Sequence, residues 1–434
     1  MKRKAIAAAV LIAMTTGVLM AEKAAPAKPD DARAIATAGN SFAWRLYSLL
    51  VEEEGNLLFS PSGIHAALAM TLAGARGDTY IAMREPVGVP CKVIDTGLEV
   101  RGNYGAMRTI YEYSHWPQKR VHKAYRALLA KLKPGKKAGY QLHVANTLWG
   151  QKGYPWLDEF LKTTHDNYGA GLREVDFARK TEAARQTINK WVEDQTRKKI
   201  KELFAKGILD GRTRLVLTNA ICFKGHWASR FEKKGTKDEP FKFAATKSVQ
   251  VSMMHQTGKF GYFEAKDLQV LRLPYAGKEA SMVIFLPKPL DGLSQIDAWL
   301  KPIWSLELAV KARVNLPVAE QFFACIESPK LTSREVMVSI PRFRMASGFH
   351  LHKKLRSMGM SKAFTPGAAD FSSMNGKKDL FISAVVHRAF MDVSEEGAEA
   401  ATATAVVTKG GKVTGTGSWL IDRTPTALCL MFMV

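Results

Sequence analysis

The stretch that decides how this chain folds is Asp392-Val393-Ser394-Glu395-Glu396-Gly397-Ala398-Glu399-Ala400-Ala401-Thr402-Ala403-Thr404-Ala405-Val406-Val407. It begins as an acidic turn with a glycine, continues as alternating small residues and ends in β-branched ones. None of these side chains is bulky enough to anchor a core, yet Ala, Thr and Val all pack on a pleated surface. The composition predicts a segment that is an exposed loop in one state and a buried strand in another. It therefore indicates a conformational switch rather than an active site.

Length and composition agree with one large folded domain. The chain has 434 residues, of which 47% are hydrophobic, and this excludes wholesale disorder. Its formal net charge of +23 favours acidic partners. Charge alone does not distinguish polyanionic glycans, nucleic acid and anionic lipid.

The N-terminus has the pattern of an export signal. Lys2, Arg3 and Lys4 precede an apolar run over residues 5–20, and Ala21 is a plausible cleavage point. We expect a signal peptide over residues 1–21, a disordered leader over 22–31 and one domain over 32–434. The apolar run is short for a membrane span, so the pattern predicts a secreted protein, extracellular or periplasmic, without a membrane anchor.

The spacing of the cysteines does not match a disulfide framework or a metal-binding motif. Cys91, Cys222, Cys325 and Cys429 are far apart and include no CxxC pair. We interpret them mainly as free or buried thiols, while one disulfide stays open as an alternative.

Hydrophobic periodicity places helices early and strands late. Helices are predicted over residues 32–53, 63–74, 182–203 and 351–358. Strands are predicted over residues 56–61, 140–150, 215–223, 249–254, 270–273, 281–286, 336–340 and 380–386. Residues 80–118 fit neither pattern and suggest an unusual insert or a replaced helix. This order favours an α+β protein with large sheets over alternating βαβ units.

Short motifs in a fixed order carry a family resemblance. They are Asn56-Leu57-Leu58-Phe59-Ser60-Pro61, Gly74-Ala75-Arg76-Gly77-Asp78-Thr79, Ala145-Asn146-Thr147-Leu148-Trp149, Thr218-Asn219-Ala220-Ile221, Phe223-Lys224-Gly225-His226-Trp227, Ser252-Met253-Met254-His255-Gln256, Leu273-Pro274-Tyr275, Ile340-Pro341-Arg342-Phe343 and Ile382-Ser383-Ala384-Val385-Val386-His387. Together with the opening stretch they resemble the serpins from residue 32 onward. The resemblance implies an α+β fold with three β-sheets, about eight or nine helices and an exposed reactive-centre loop.

The resemblance also implies a mechanism and a partner. A serine protease, or a papain-like cysteine protease, attacks the loop, and the cleaved hinge inserts as a new strand into the main sheet. The implied hinge residues are Glu395, Glu396, Gly397, Ala398, Glu399, Ala400, Ala401, Thr402 and Ala403. By strand alternation Ala398, Ala400, Thr402 and Thr404 share one face, and Glu399 lies on the other. The alternative is a non-inhibitory serpin-fold carrier or chaperone. In either case the chain is not an enzyme, and a monomer is expected.

Other positions follow from the same resemblance. Ser60, Asn219 and His387 match the gate that controls opening of the main sheet, while Gly63 stands where family members usually have serine. Arg342 matches a basic position that pairs with Glu395.

The scissile bond is less clear. Counting from the hinge leads to Gly411-Lys412, whereas Lys409 or Lys412 would suit a trypsin-like protease.

The C-terminus departs from the family pattern. Residues 419–425 resemble a family strand motif with one residue inserted, and residues 428–432 would then form its strand, so that the chain ends before the last strand. A second alignment takes 419–421 and 426–434 as the last two strands.

The sequence gives little support for an enzyme active site or a metal site. The sequence has no G-x-S-x-G, H-E-x-x-H or P-loop motif. His350-x-His352 lacks Cys or carboxylate partners nearby, so we interpret it as surface histidines and predict no metal. No cofactor and no nucleic acid are predicted.

A basic segment suggests one further ligand. No acidic residue interrupts residues 119–137, which include the candidate polyanion-binding residues Lys119, Arg120, Lys123, Arg126, Lys131 and Lys133. The resemblance to the serpins implies that a glycosaminoglycan or other polyanion would bind there and accelerate inhibition, and a solvated helix face is the alternative. Arg197, Lys198, Lys199 and Lys201 form a second basic cluster.

Overall fold

The computed structural model describes residues 9–12, 31–52, 56–101, 107–135, 139–169, 171–244, 247–266, 268–289, 331–398 and 428–433. The α-helices of these ranges are α1 (Asp31–Leu50), α2 (Pro61–Leu72), α3 (Gly77–Arg84), α4 (Gln118–Leu132), α5 (Asp158–Tyr168), α6 (Thr181–Gln195), α7 (His352–Leu355) and α8 (Ser372–Asn375). The strands are β1 (Ala9–Ile12), β2 (Leu57–Phe59), β3 (Cys91–Arg101), β4 (Met107–His115), β5 (Tyr140–Gln151), β6 (Leu172–Val175), β7 (Leu215–His226), β8 (Lys237–Ala244), β9 (Lys247–Glu264), β10 (Leu268–Pro274), β11 (Ala280–Pro287), β12 (Thr332–Pro341), β13 (Phe343–His350), β14 (Ile382–Ser394), β15 (Gly397–Ala398) and β16 (Leu428–Met433).

The strands form three sheets, which confirms the predicted α+β architecture. The main sheet has six strands in the order β13-β14-β15-β7-β5-β6. A second sheet has eight strands, with β12-β9-β10-β11-β16-β1-β2 along its path and β8 paired to β9. Strands β3 and β4 form a separate two-stranded sheet.

Helix α2 is the buried centre of the fold. Ser60 caps it through a 3.3 Å bond from the Gly63 amide to the Ser60 hydroxyl, and Pro61 occupies its first turn. Every residue of α2 except Ser62 is buried. Most of its side chains are apolar, as expected for a helix that is surrounded by its neighbours. Its first turn lies against the main sheet and positions the gate residues described below.

Helix α6 covers the other face of the main sheet. Its buried residues Ala184, Ile188 and Val192 pack in one cluster with Ala220 of β7 and Val386 of β14. The main sheet is therefore covered by helices on both faces. A strand added to it enters a largely apolar environment.

The predicted helix over residues 182–203 ends early, at Gln195. The Thr196 hydroxyl donates back to the Val192 carbonyl, and Arg197 and Lys198 adopt positive φ angles of 51° and 62°. The side-chain oxygen of Asn189 accepts the amides of Leu203 and Phe204, which holds the following segment as a loop. The spacing of apolar residues predicted a longer helix, because the loop that follows the helix also packs apolar residues against the core.

Residues 80–118 form helix α3 and a β-hairpin. Strands β3 and β4 pair from Cys91↔His115 to Arg101↔Met107, with an irregularity between Asp95 and Glu99. The region therefore contains a helix and two strands, and whether it is an insert or replaces a helix stays open. The helix predicted over 351–358 is shorter, because α7 continues into a wide turn over Arg356–Met360 in which Gly359 has a φ of 107°.

Two cysteines in the described ranges agree with the expectation of free thiols. Cys91 is exposed and Cys222 is buried, and both are unpaired. Within the described ranges, no helix combines the length and the hydrophobicity needed to span a bilayer.

Candidate functional site

The hinge forms a wedge in the main sheet. Along most of their length β14 and β7 are direct parallel neighbours, from Ile382↔Leu215 to Phe390↔Cys222. At one end β15 lies between them, where Gly397 and Ala398 pair with Ser394 and Val393 on one side and with His226 and Gly225 on the other. Ala398 is fully buried. The hinge has therefore begun a new strand position, and the β14–β7 seam lies directly in its path.

Only glycine fits at position 397. Its φ is +148°, and a Cβ built there would lie 1.8 Å from the Gly225 carbonyl oxygen. The residue is thus required by both conformation and space. This close approach allows the chain to turn from β14 into the wedge within a few residues.

Two glutamates anchor the hinge. Glu395 is 4% exposed, accepts a 2.8 Å hydrogen bond from the Thr236 hydroxyl and has its Oε2 3.7 Å from the Arg342 Nε. Glu396 pairs with Lys233 at 3.0 Å, and this hydrogen bond holds the pKa of the Glu396 carboxyl below its ordinary value. The predicted Glu395–Arg342 pair is present, with Thr236 as a closer partner.

Trp227 ties the hinge to the rest of the fold. Its indole Nε1 donates to the Ser394 carbonyl at 3.0 Å, and its amide donates to the Glu396 carbonyl at 3.0 Å. The ring is buried and stacks on Tyr275 with centroids 4.8 Å apart. Trp227 therefore holds both ends of the turn that precedes β15.

The gate is one row of side chains across three strands. His387, Asn219 and Asn146 are register partners on β14, β7 and β5. The His387 Nδ1 bonds the Asn219 oxygen at 2.5 Å, and the Asn219 amide donates to the Asn146 oxygen. An inserting strand must separate β14 from β7, so it must break the His387–Asn219 bond.

The same row is bound to the first turn of α2. The Ser60 amide donates to His387 Nε2 at 3.0 Å, and the Asn146 amide donates to the Gly63 carbonyl at 3.3 Å. Because Nε2 accepts, the proton of the neutral ring is on Nδ1 and is donated to Asn219. Burial lowers the pKa of His387 to about 3, so the ring is neutral at physiological pH.

Gly63 is an integral part of this arrangement. A Cβ at position 63 would lie 2.4 Å from the Asn219 amide nitrogen. Serine would therefore displace Asn219 from its present place. The network uses the backbone carbonyl of Gly63 as an acceptor and places Asn219 in the space that a side chain at 63 would need.

Comparisons with known proteins agree with this geometry. The family described as "Serpin (serine protease inhibitor)" matches residues 37–421. The chain belongs to the serpin family. The leukocyte elastase inhibitor of Equus caballus is 37% identical over 380 residues, which cover 86% of this chain and 88% of that protein. Serpin B3 of Homo sapiens is 36% identical over 366 residues, covering 84% and 86%.

A solved structure shows the same fold. Serpin48 of the insect Tenebrio molitor superposes with a TM-score of 0.70 at 30% identity, covering 88% of this chain and 91% of that one. The relatives are protease inhibitors, so this serpin is grouped with inhibitors and not with enzymes.

The described part of this serpin includes four of the nine predicted hinge residues, namely Glu395, Glu396, Gly397 and Ala398. The structure places them at the end of the main sheet where β15 lies between β14 and β7. Residues Glu399, Ala400, Ala401, Thr402 and Ala403, and the scissile candidates Lys409, Gly411 and Lys412, lie outside the described residues. The predicted gate residues Ser60, Asn219 and His387 contact one another directly or through one partner.

The basic segment of this serpin forms helix α4. Val121, His122, Ala124, Tyr125, Leu128 and Leu132 face the core. Lys119, Lys123, Arg126 and Lys133 are exposed and follow one stripe of the helix surface. Arg120 differs, because it bonds Asp31 at 2.8 Å and covers the Trp116 ring at 3.8 Å. Lys131 is exposed on the adjacent stripe.

Sequence reasoning missed several residues of the site. Trp227 and Asn146 appeared only as parts of motifs, and Thr236 and Lys233 were not singled out at all. A tryptophan next to a glycine-bearing strand end was the one available signal. The other three are ordinary polar residues whose roles come from partners far along the chain.

His350 and His352 lie at the end of β13 and the start of α7. In the ranges that the structure describes, no group of three or more His, Cys, Asp or Glu is close enough to hold a metal.

Proposed function

We propose that this serpin is a secreted suicide-substrate inhibitor of a serine protease with trypsin-like specificity. The observation that carries the proposal is the wedge, since Gly397 and Ala398 already lie between β7 and β14, with Ala398 fully buried, as the start of an inserting strand. The loop of a carrier protein would not need residues that are already inserted between β7 and β14.

The chemistry uses the protease's own nucleophile. Its serine oxygen attacks the scissile carbonyl, the peptide C–N bond breaks, and the departing amine takes a proton. The carbonyl carbon stays bound to the protease as an ester. The freed hinge then extends the strand that Gly397 and Ala398 begin, along the β14–β7 seam. Trapping requires that this insertion outruns hydrolysis of the ester.

The trypsin-like target is supported by the sequence. Lys409 and Lys412 are the basic residues nearest the counted scissile position Gly411. Several relatives are named as inhibitors of leukocyte elastase, an enzyme with a different preference. Elastase is therefore the second enzyme to test beside trypsin, and a papain-like cysteine protease is the third.

The test is to mix the protein with trypsin, with elastase and with papain. We expect a complex of inhibitor and trypsin that survives SDS and heating, and mass spectrometry of the released C-terminal peptide identifies the scissile bond. An SDS-stable complex with elastase or papain alone would overturn the specificity but keep the mechanism. Complete loop cleavage by all three enzymes without a stable complex would overturn inhibition and favour the carrier alternative.

Two matched variants test the role of insertion. Ala398→Glu places a carboxylate at a fully buried position, so insertion should slow and the protein should become a substrate. Ala401→Glu makes the same chemical change three residues later, on the opposite face by strand alternation, beside the native Glu399. We expect the second variant to keep most of the trapping activity.

A second candidate function is polyanion binding at α4. It is favoured by the exposed stripe of Lys119, Lys123, Arg126 and Lys133, which faces away from the core. We propose that a sulfated polysaccharide binds this stripe and accelerates inhibition by also binding the protease.

A further inference from the structure

Strand β1 fills a position in the eight-stranded sheet between β2 and β16. It is parallel to both, with Ala9↔Leu57, Val10↔Leu58 and Leu11↔Phe59 on one side. On the other side Ala9, Val10, Leu11 and Ile12 are partners of residues 428–431. In the described part of the chain, β2 and β16 do not pair with each other. Ala9–Ile12 is the link that joins β2 to this sheet.

The backbone of β2 needs a partner at this position. Leu57, Leu58 and Phe59 are all buried, at 4%, 0% and 0% exposure, so both faces of the strand are covered. Among the described strands, β1 is the one that pairs with β2. Without it, several buried N–H and C=O groups would lose their hydrogen bonds, at roughly 1–3 kcal/mol each.

The sequence of β1 suits a strand with both faces covered. Ala9-Val10-Leu11-Ile12 has no polar side chain, as expected for a strand inside a parallel arrangement. Its neighbours are equally apolar, with Leu57-Leu58-Phe59 on one side and Leu428-Cys429-Leu430-Met431 on the other. The apolar run that has the pattern of an export signal is thus also a suitable strand.

We propose that the position between β2 and β16 is a strand-binding site whose occupant is the N-terminal segment of this same chain. The segment is held by backbone pairing to two parallel neighbours. Cleavage after Ala21 would separate it from the protein covalently, and the position would then hold the peptide non-covalently or stand open to another extended apolar strand. This proposal does not depend on protease inhibition.

Occupancy of the site also bears on the gate. Strand β2 ends at Phe59, and the next residue, Ser60, caps α2 and donates its amide to His387. Loss of the β1 pairing would loosen β2 and, through it, the Ser60–His387 bond. An empty site should therefore favour opening of the β14–β7 seam.

The first experiment uses the full chain and the native Cys429. Val10 is the Cα partner of Cys429, and neighbouring strands lie about 4.8 Å apart, which is within the range for a disulfide. We expect Val10→Cys to form a disulfide with Cys429 under mild oxidation, identified by mapping of non-reduced peptides. Leu11→Cys is the control, because successive positions of a strand alternate between its two faces and position 11 should form this disulfide much less. Equal linkage in both variants, or none in either, would overturn the proposal.

The second experiment measures binding in trans. A protein beginning at residue 22 is mixed with a peptide of residues 7–16, and a Leu11→Pro peptide is the control because proline cannot pair within a central strand. We expect saturable one-to-one binding of the first peptide and a higher urea midpoint, with neither effect from the second. A shortened protein as stable as the full chain that binds neither peptide contradicts the proposal. If the shortened protein does not fold, full-chain Leu11→Pro is compared with wild type, and an unchanged urea midpoint counts against the site.

Discussion

At the scale of single residues, the site depends on one backbone position that only glycine can occupy and on one histidine ring with a fixed tautomer. Gly397 is required because its φ is +148° and the Gly225 carbonyl occupies the space of a side chain. His387 is required as a neutral ring, because its Nε2 accepts from Ser60 while its Nδ1 donates to Asn219. Each of these requirements leads to a measurable prediction.

Gly397→Ala should expel β15 from the main sheet. The new Cβ would lie 1.8 Å from a backbone oxygen and the φ is strained, so we expect a loss of roughly 1–3 kcal/mol in the free energy of unfolding. The urea midpoint and the rate of proteolysis in the hinge report the change. Gly171→Ala is the matched control, because a Cβ there meets no atom within 4 Å. Equal midpoints for the two variants would contradict the close packing of Gly397.

The gate should make stability depend on pH. Burial lowers the pKa of His387 to about 3, whereas the unfolded chain titrates near 6.5. The unfolded state therefore binds more protons between these values, and stability falls as pH falls from 6.5 towards 3, by about 1.4 kcal/mol per pH unit for this group. His65 and His122 add to the effect, because burial lowers the pKa of each to about 4.

The measurement is urea unfolding at pH 7.0, 6.0, 5.0 and 4.5. His387→Gln should be less stable at pH 7 and show a smaller decrease with falling pH than wild type. His165→Gln is the control, because that side chain is 78% exposed. An identical pH dependence for wild type and His387→Gln would show that His387 is not held neutral by burial.

At the scale of secondary-structure elements, function depends on which strands are neighbours. Beyond the hinge, β14 and β7 pair directly as parallel strands. One row of side chains connects this pair to β5 and to α2 through hydrogen bonds. Under the proposed mechanism, the hinge has therefore entered the strand position between β14 and β7, and the gate row resists further insertion. Helix α4 lies outside this machinery, and Lys119, Lys123 and Arg126 on its outer stripe are exposed.

Helix α4 carries the prediction on polyanion binding. Changing Lys119, Lys123 and Arg126 together to alanine should weaken binding of heparin by roughly tenfold to a hundredfold, at about 0.5–1 kcal/mol per exposed contact. Affinity of the wild type should also decrease steeply with added salt, because exposed charges are screened. Titration by calorimetry or fluorescence at several salt concentrations measures both.

A control with the same charge loss separates the stripe from net charge. Lys152, Arg179 and Lys206 are exposed and lie outside α4, so their triple alanine variant removes three positive charges elsewhere. If both triple variants lose equal affinity, binding reflects the overall charge of +23 and not a site on α4.

At the scale of the whole molecule, the proposed inhibition requires that the main sheet accept one more strand. On this proposal the strand enters along the β14–β7 seam, where both faces of the sheet are covered by helices or core. Each residue inserted there gains backbone partners on both sides. The native arrangement is thus expected to be less stable than the cleaved one and to persist because the gate slows the change.

Cleavage of the loop should therefore stabilise the protein. About ten new backbone hydrogen bonds at about 1 kcal/mol each predict a gain on the order of 10 kcal/mol and a rise in Tm of roughly 10 °C or more. Thermal unfolding before and after cleavage by a protease that is not trapped gives the value. The Ala398→Glu variant, cleaved in the same way, should show a much smaller rise. A wild type with unchanged Tm after cleavage would mean that no strand is added.

Much of the site could be predicted from local sequence. The small residues of the hinge, the glycine at 397 and the helix cap at Ser60 are local features, because each expresses backbone preference or capping. The C-terminal end of α6 could not be predicted from local sequence. Asn189 and Thr196 end this helix through hydrogen bonds to a loop that also buries apolar residues. The hairpin β3–β4 was visible only as a region without a clear pattern.

The sequence by itself determined the fold class and the small-residue hinge, and the resemblance of its motifs to the serpins implied the gate residues Ser60, Asn219 and His387. The fold class and the hinge depend on composition, periodicity and the order of motifs, which are properties of neighbouring residues. Only the tertiary structure decided that Ala398 has entered the sheet, that Trp227 and Thr236 hold the hinge, and that Ala9–Ile12 completes the second sheet. The reason is physical: these contacts join residues far apart in the chain, and strand register and burial arise only when the whole molecule has folded.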